Sequence, residues 1–197
     1  MTLGAHGPII RRNIPGLETF RELLLDGILL SPLSAAWTAV VAGSGATAQA
    51  AGYKETNTGT TTGSTARLYT DVLLLPSTAF PIDFSKRILW GFTLRRLTSD
   101  AAIIGRVQLK AATTEGALGA RGLGVRAANL TLTGEGYETA DAFTGTIQAM
   151  VSGTIYSIVV DHEPGVPRDR FYVNGVLQAT VTNTANIPQS STDSVGM

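Results

Sequence analysis

Two histidines, fifteen carboxylates and no cysteine bound the chemistry open to this chain of 197 residues. A nucleophilic hydrolase needs a base beside its nucleophile. A Ser-His-acid arrangement would have to be built on His162, because His6 lies in an N-terminal stretch broken by Gly4 and Gly7-Pro8. No Gly-x-Ser-x-Gly elbow accompanies either histidine. Asp161-His162-Glu163 brings metal-binding residue types together. Successive side chains of a regular strand point to opposite faces, so these three do not converge on one ion. Glycoside hydrolysis needs two carboxylates facing each other ~5–9 Å apart. Glu135 and Glu138 lie in GEGYETAD (134–141), which reads as a Gly-rich bend and not as a strand that would aim both acids at one spot. The expectation is a chain that is not an enzyme and carries no metal or cofactor.

Binding chemistry is the next possibility. Sugars stack on exposed aromatic faces, and the candidates are Trp37, Trp90, Tyr53, Tyr69, Tyr137 and Tyr172. Trp90 sits among Ile88, Leu89 and Phe92 and reads as core. Tyr137, beside a glycine, reads as an exposed ring, and with Asn174 at a hairpin tip it is the expected rim of any surface-glycan site. GSG at 43–45 and GTTTGST at 59–65 lack the lysine and the strand-to-helix setting of a phosphate-binding loop. Arg95-Arg96, Arg121 and Arg126 are scattered, with no aromatic platform, and read as ion-pair partners on an assembly surface.

Composition narrows the classes further. Fifteen basic and fifteen acidic residues cancel, so there is no long-range pull toward nucleic acid or an anionic membrane. Copies of the chain also repel one another little. Charged residues make up only 15%, against roughly 25% in an ordinary soluble domain. A surface of Thr, Ser, Ala and Gly suits contact with other protein. No apolar run approaches the ~18 residues of a membrane span. MTLGAHGPIIRRNIP has no basic region followed by an apolar core, so no secretory signal is expected and folding is assigned to the cytoplasm of the producing cell.

The elements that must position these groups are short. Residues 1–14 read as an arm, sticky at Ile9 and Ile10 and charged at Arg11 and Arg12. Residues 15–30 read as the one helix, with Pro15 at its first position and Leu17, Phe20, Leu24 and Ile28 on one stripe. It packs on the following domain or docks on a partner. Ser31-Pro32 ends it, which divides the chain into an arm and helix (1–35) and a β domain (36–197). Strands are expected at 37–41, 66–69, 72–75, 87–94, 103–109, 122–126, 130–132, 146–150 and 155–160. GSGATAQAAG (43–52) and the Thr/Gly tract 55–65 read as loops. In RDRFYVNGVLQATV (168–181), Asn174-Gly175 between β-branched and aromatic runs predicts a two-residue type I′ hairpin. Leu177, Ala179 and Val181 would share one face of its second strand. Many short strands at roughly ten-residue spacing, with no helices between them, indicate a sandwich or barrel. The chain ends at SSTDSVGM with no strand behind it. The closing edge of a sandwich would then fall to the arm, to a neighbouring copy, or to residues beyond Met197.

The order of elements in 84–181 resembles the concanavalin-like, laminin-G-like jelly-roll sandwich. Tyr156, Ile158, Val160 and His162 match that family's strand before the turn, and Phe171, Val173, Asn174 and Gly175 match its next strand and hairpin rung. The resemblance covers about half the chain. It implies an all-β, antiparallel jelly-roll sandwich, here with an N-terminal extended arm and one short helix. Some laminin-G-like modules hold calcium at a loop rim, for which Asp141, Asp161, Glu163 and Asp169 are the acids available, but their spacing matches no calcium loop. The arm, helix and Thr/Gly-rich sandwich are also similar in style to virion proteins of tailed bacteriophages. That similarity implies a capsid decoration or cement subunit made in the host cytoplasm, a homo-oligomer that also contacts a major capsid protein. Its interface would draw on Ile9, Ile10, Arg11, Arg12, Leu17, Phe20 and Leu24. The alternative is a glycan- or receptor-binding module of a fibre or spike.

Overall fold

The computed structural model describes residues 38–50, 53–57, 64–69, 83–97, 99–110 and 121–189. The expected arm, the helix with Leu17, Phe20 and Leu24, and the run 72–75 lie outside them. The described chain is almost entirely antiparallel strand. Its strands are β1 (Thr38–Ala42), β2 (Ala46–Ala50), β3 (Tyr53–Asn57), β4 (Thr65–Tyr69), β5 (Ile88–Arg95) and β6 (Gly105–Lys110), then β7 (Gly122–Ala128), β8 (Thr131–Tyr137), β9 (Asp141–Ala149), β10 (Ile155–Glu163), β11 (Arg168–Val173) and β12 (Val176–Val181). A 3-10 turn follows at Thr184–Asn186.

Two four-stranded sheets carry the core, in the orders β12-β11-β10-β5 and β6-β7-β8-β9. Strands β1–β4 and β2–β3 form two further antiparallel pairs. One buried cluster draws Leu109, Leu123, Val125, Leu132 and Ile147 from the second large sheet and Tyr156, Ile158, Val160, Phe171 and Val173 from the first. Alternation is the reason. Along β10 the apolar positions 156, 158 and 160 face inward and Ile155 and Ser157 outward, and β11 repeats the pattern with Phe171 and Val173. Two such faces bury each other as a β-sandwich. Trp90 and Phe92 pack against this core from β5, their ring centroids 4.6 Å apart.

Three stretches depart from the sequence reading. Residues 46–50 and 53–57 form a hairpin, β2–β3, where small residues and a Thr/Gly tract suggested loops. Alanine and threonine tolerate a strand when cross-strand hydrogen bonds are available. GEGYETAD does not begin as a bend: β8 continues through Gly134, Glu135 and Gly136 to Tyr137. The glycines are there for close packing. A Cβ on Gly134 would lie 2.7 Å from the Phe171 ring, and one on Gly136 would overlap the Asn186 carbonyl oxygen.

The hairpin at 168–181 forms with Asn174 at φ 51° and Gly175 at φ 81°, the positive values a type I′ turn requires. A bulge beside Phe171/Tyr172 shifts the register: Phe171 faces Ala179, but Tyr172 faces Leu177. One extra residue reverses the alternation. Ala179 and Val181 therefore pack on the core, whereas Leu177 moves to the exposed face with Tyr172. Asn174 also accepts a hydrogen bond at Oδ1 from the Ser157 N–H at 3.0 Å. Asn174→Ala loses that bond and places a Cβ-bearing residue without a compensating side chain at positive φ, so a loss of about 1–2 kcal/mol is expected in urea unfolding.

The sandwich has two distinct ends. At the hairpin end lie the β5–β6 loop, the β7–β8 and β9–β10 turns and the Asn174-Gly175 tip. They are tied together by Gly153 N–H to Arg96 O (2.7 Å), Met150 N–H to Leu130 O (2.8 Å) and Asn174 N–H to Ser157 O (2.8 Å). At the entry end the chain comes in through 83–87 and leaves through 182–189. There the N–H groups of Glu138, Thr139 and Ala140 all point to the Ala185 carbonyl at 2.9–3.1 Å.

Candidate functional site

The chemistry-bearing residues of the sequence gather at the entry end, on β10 and β11. His162 and Asp169 face each other across the pair in register. Each continues the inward face of its strand, and both are fully buried. His162 Nδ1 lies 2.6 Å from Asp169 Oδ1, and Nε2 lies 2.9 Å from the Phe84 carbonyl oxygen. A carbonyl only accepts, so Nε2 carries a proton and donates it. One further proton is then shared between Nδ1 and Oδ1. The pair is uncharged overall whether that proton sits on the ring or on the carboxyl. Burial pushes the Asp169 carboxyl above its ordinary value, against the opposing hydrogen bond from His162. The second carboxyl oxygen, Oδ2, is buried without a hydrogen-bond partner. Phe84 packs edge-on to the imidazole, with ring centroids 6.0 Å apart.

The neighbouring residues of the same strands turn the other way. Asp161 and Glu163 lie on the outward face with Arg168 and Arg170, joined by Arg87 from the entry segment. Arg87 donates to both carboxyl oxygens of Asp161, Nε to Oδ1 and Nη2 to Oδ2, each at 3.0 Å. Arg170 donates to the same Asp161 carboxylate and reaches Glu163 at 3.4 Å. Arg168 closes the ladder on Glu163, Nε to Oε2 at 3.1 Å. The hydrogen bond to Asp161 holds the Arg87 guanidinium above its usual value, and the Arg168 hydrogen bond holds Glu163 below the usual carboxylate range. Asp161→Asn leaves Arg87 and Arg170 converging on a neutral amide. The expected loss is about 2 kcal/mol of stability, read by urea unfolding, with no recovery in 1 M salt because Asp161 itself is buried.

Asp161, His162 and Glu163 thus diverge, as strand alternation requires. His162 has both ring nitrogens occupied and no solvent contact, so it cannot pass a proton to a bound substrate. Asp161 and Glu163 are held by arginines. On the second sheet, Glu135 is also almost fully buried, and lies on the face away from the core. It accepts from Arg106 Nε at 3.1 Å and Gln108 Nε2 at 2.7 Å. Glu138 accepts from the Gln189 N–H at 3.1 Å.

The two residues expected to share a ligand rim are not brought together. Tyr137 is half-buried where β8 ends, at the entry end, and Asn174 is exposed at the hairpin end. Ile9, Ile10, Arg11 and Arg12 lie outside the described residues. Sequence reasoning missed the His162–Asp169 pair and the arginine ladder. The signal was present, since His162 is in phase with Tyr156, Ile158 and Val160, and Asp169 with Phe171 and Val173. Searches against protein-family models, curated proteins and solved structures found no match to this chain.

Proposed function

We propose that the chain is a non-enzymatic structural subunit that works by docking. In this reading it is a jelly-roll-type sandwich of the virion decoration or cement kind, associating with copies of itself and with a major capsid protein of a bacteriophage head. The observation that carries the docking role is a segregation of chemistry. The clusters with reactive residue types are closed on themselves at the entry end, while most of the exposed large apolar side chains, Leu97, Ile104, Val151, Ile155 and Val176, stand in water at the other. The low charge fraction supports the same role. The jelly-roll reading is supported by the path of the chain, which leaves β5, runs the β6–β9 meander in the other sheet and returns at β10 beside β5. Ile9, Ile10, Leu17, Phe20 and Leu24 are proposed as a second docking element on the strength of their sequence pattern.

Light scattering on the full-length protein tests this reading. The expected result is a concentration-dependent oligomer that adds to empty capsid shells. A monodisperse monomer at every concentration that ignores such shells would overturn it.

One observation favours the alternative, a glycan-binding module. Tyr172 presents a half-buried ring on the outward face, in register with Val159, whose partner on the other side is Gly91. The glycine leaves that row low beside the ring. Glycan-array binding lost in Tyr172→Ala would establish this reading instead.

A further inference from the structure

The chain enters the sandwich through 83–87, and that segment is fastened on both faces of β10. Asp161 and His162 are consecutive strand residues, so they point to opposite faces. On the outward face Asp161 holds Arg87 through both carboxyl oxygens. On the inward face His162 Nε2 donates to the Phe84 carbonyl at 2.9 Å, and the fully buried Phe84 ring stands edge-on to the imidazole. The inner fastening depends on the supply of protons. His162 faces two acceptors, the Phe84 carbonyl and Asp169 Oδ1. With one proton on Nε2 and one shared between Nδ1 and Oδ1, both are satisfied. A neutral imidazole beside an ionised carboxylate has a single N–H for the two. The carboxylate takes it. A charge-assisted hydrogen bond is roughly twice as strong as a neutral one. Among the described residues, His162 is also the one hydrogen-bond partner of the Asp169 carboxyl, whose Oδ2 is buried without any. Nε2 then turns a lone pair on the Phe84 carbonyl oxygen, and the inner fastening is lost.

We propose that the His162–Asp169 pair is a proton-operated latch on the entry segment: with the shared proton in place it holds Phe84, and without it the remaining N–H turns to Asp169 and Phe84 is let go. This regulation goes beyond the assembly reading and does not depend on it. Its sign follows from the proton count. The closed latch holds one proton more than the open one. Closure is therefore complete at low pH and weakens as pH rises, by at most about tenfold per pH unit, until the pair has lost its proton. Neither side chain has solvent exposure in the closed form, so the proton leaves through the opening itself. The surrounding charges shift the point of release but not its direction. Asp161, Glu163, Arg168 and Arg170 alternate with the pair along β10 and β11 and turn outward with Arg87. Asp83 accepts from the Ser85 N–H, and Lys86 is exposed. Tyr137, Glu138 and Asp141 occupy the β8–β9 end, where Glu138 accepts from the Gln189 N–H. Apart from His162, Asp161 is the charge that acts on Asp169. Arg87 keeps its hold on Asp161 throughout, because a guanidinium stays charged, so the opening is confined to the inner face.

The chain has only two histidines, so heteronuclear NMR of full-length, histidine-labelled protein follows the His162 ring nitrogens from about pH 4 to about pH 9. At the low end both are expected to carry protons. As pH rises, Nε2 is expected to lose its proton while Nδ1 keeps one. Over the same range the amide protection of residues 84–88, corrected for the intrinsic exchange rate, should fall by up to about tenfold per pH unit. The core amides of Leu123 and Val125 should not follow. Asp169→Asn is the control. Its amide donates to Nδ1 and leaves the Nε2 proton on the Phe84 carbonyl, so protection at 84–88 should become independent of pH. The ring-nitrogen titration of the native protein carries the test if that variant misfolds. A His162 that keeps both protons across the range, or that gives up the Nδ1 proton instead, overturns the latch. So does protection at 84–88 that ignores the titration, or that keeps the same pH dependence in Asp169→Asn. The light-scattering test of assembly is unaffected by any of these results.

Discussion

Phe171→Ala is expected to destabilise the protein by about 3–5 kcal/mol, a large part of a typical domain's stability. The side chain has no solvent exposure and sits in the centre of the cluster that joins the two sheets. Its ring lies flat against β8, with three of its atoms 2.7–2.8 Å from where a Cβ on Gly134 would stand. That contact makes a sharper prediction than the cavity alone. In the native protein Gly134→Ala forces the ring off its rotamer or separates the sheets, and should cost about 1–3 kcal/mol. In the Phe171→Ala background the same methyl enters empty space and removes the conformational freedom of a glycine in a strand. Gly134→Ala should there be neutral or stabilising. Urea unfolding of the four proteins closes the double-mutant cycle, and a coupling of about 1–3 kcal/mol is expected. Simple additivity would show that ring and glycine do not share one space.

The same contact explains where sequence reading stops. Period-two alternation with aromatic and β-branched residues made β5, β10 and β11 visible, because each strand's own residues state which face is inward. The type I′ turn was legible because Asn174-Gly175 specifies it locally. Of β8 only the start, at 130–132, was legible; its continuation through Gly134 to Tyr137 was hidden because its glycines answer to Phe171 and Asn186, residues remote in sequence. The side change of Leu177 was hidden for a similar reason. A bulge is a relation between two strands, and the composition of β12 alone does not contain it. Charged clusters follow the same division. That Asp161 and Glu163 diverge from His162 follows from alternation, but that Arg87 would meet Asp161 depends on β5 lying beside β10. The exposed apolar side chains at the hairpin end were not legible as a group, because three separate connections, β5–β6, β9–β10 and β11–β12, contribute them.

Asp169 is the residue whose replacement separates a structural ion pair from a shared-proton pair. Asp169→Ala leaves the His162 Nδ1 facing a void inside the core and should cost about 3–5 kcal/mol, as the loss of one member of a buried polar pair does. Asp169→Asn is a different experiment. Its amide can donate to Nδ1 while Nε2 still donates to the Phe84 carbonyl, so the network stays closed with no titrating carboxyl. A small loss, about 1 kcal/mol, is expected below pH 4. Burial holds the native Asp169 carboxyl above its ordinary 3.8. Between pH 3.8 and that raised value the folded protein keeps a proton the unfolded chain has released. The stabilisation is therefore complete below pH 3.8 and is lost as pH rises through the folded value. Asp83 and Glu163, both held below their usual range, act in the opposite direction but are common to both proteins and cancel in the difference. The stability advantage of the native protein over Asp169→Asn should thus shrink as pH is raised from 3.5 to 7, and it can reverse sign. Parallel stability curves would mean that the Asp169 carboxyl does not change its protonation on folding in this range. In that case Asp169→Asn should show a constant deficit, and burial would not be what sets the Asp169 carboxyl.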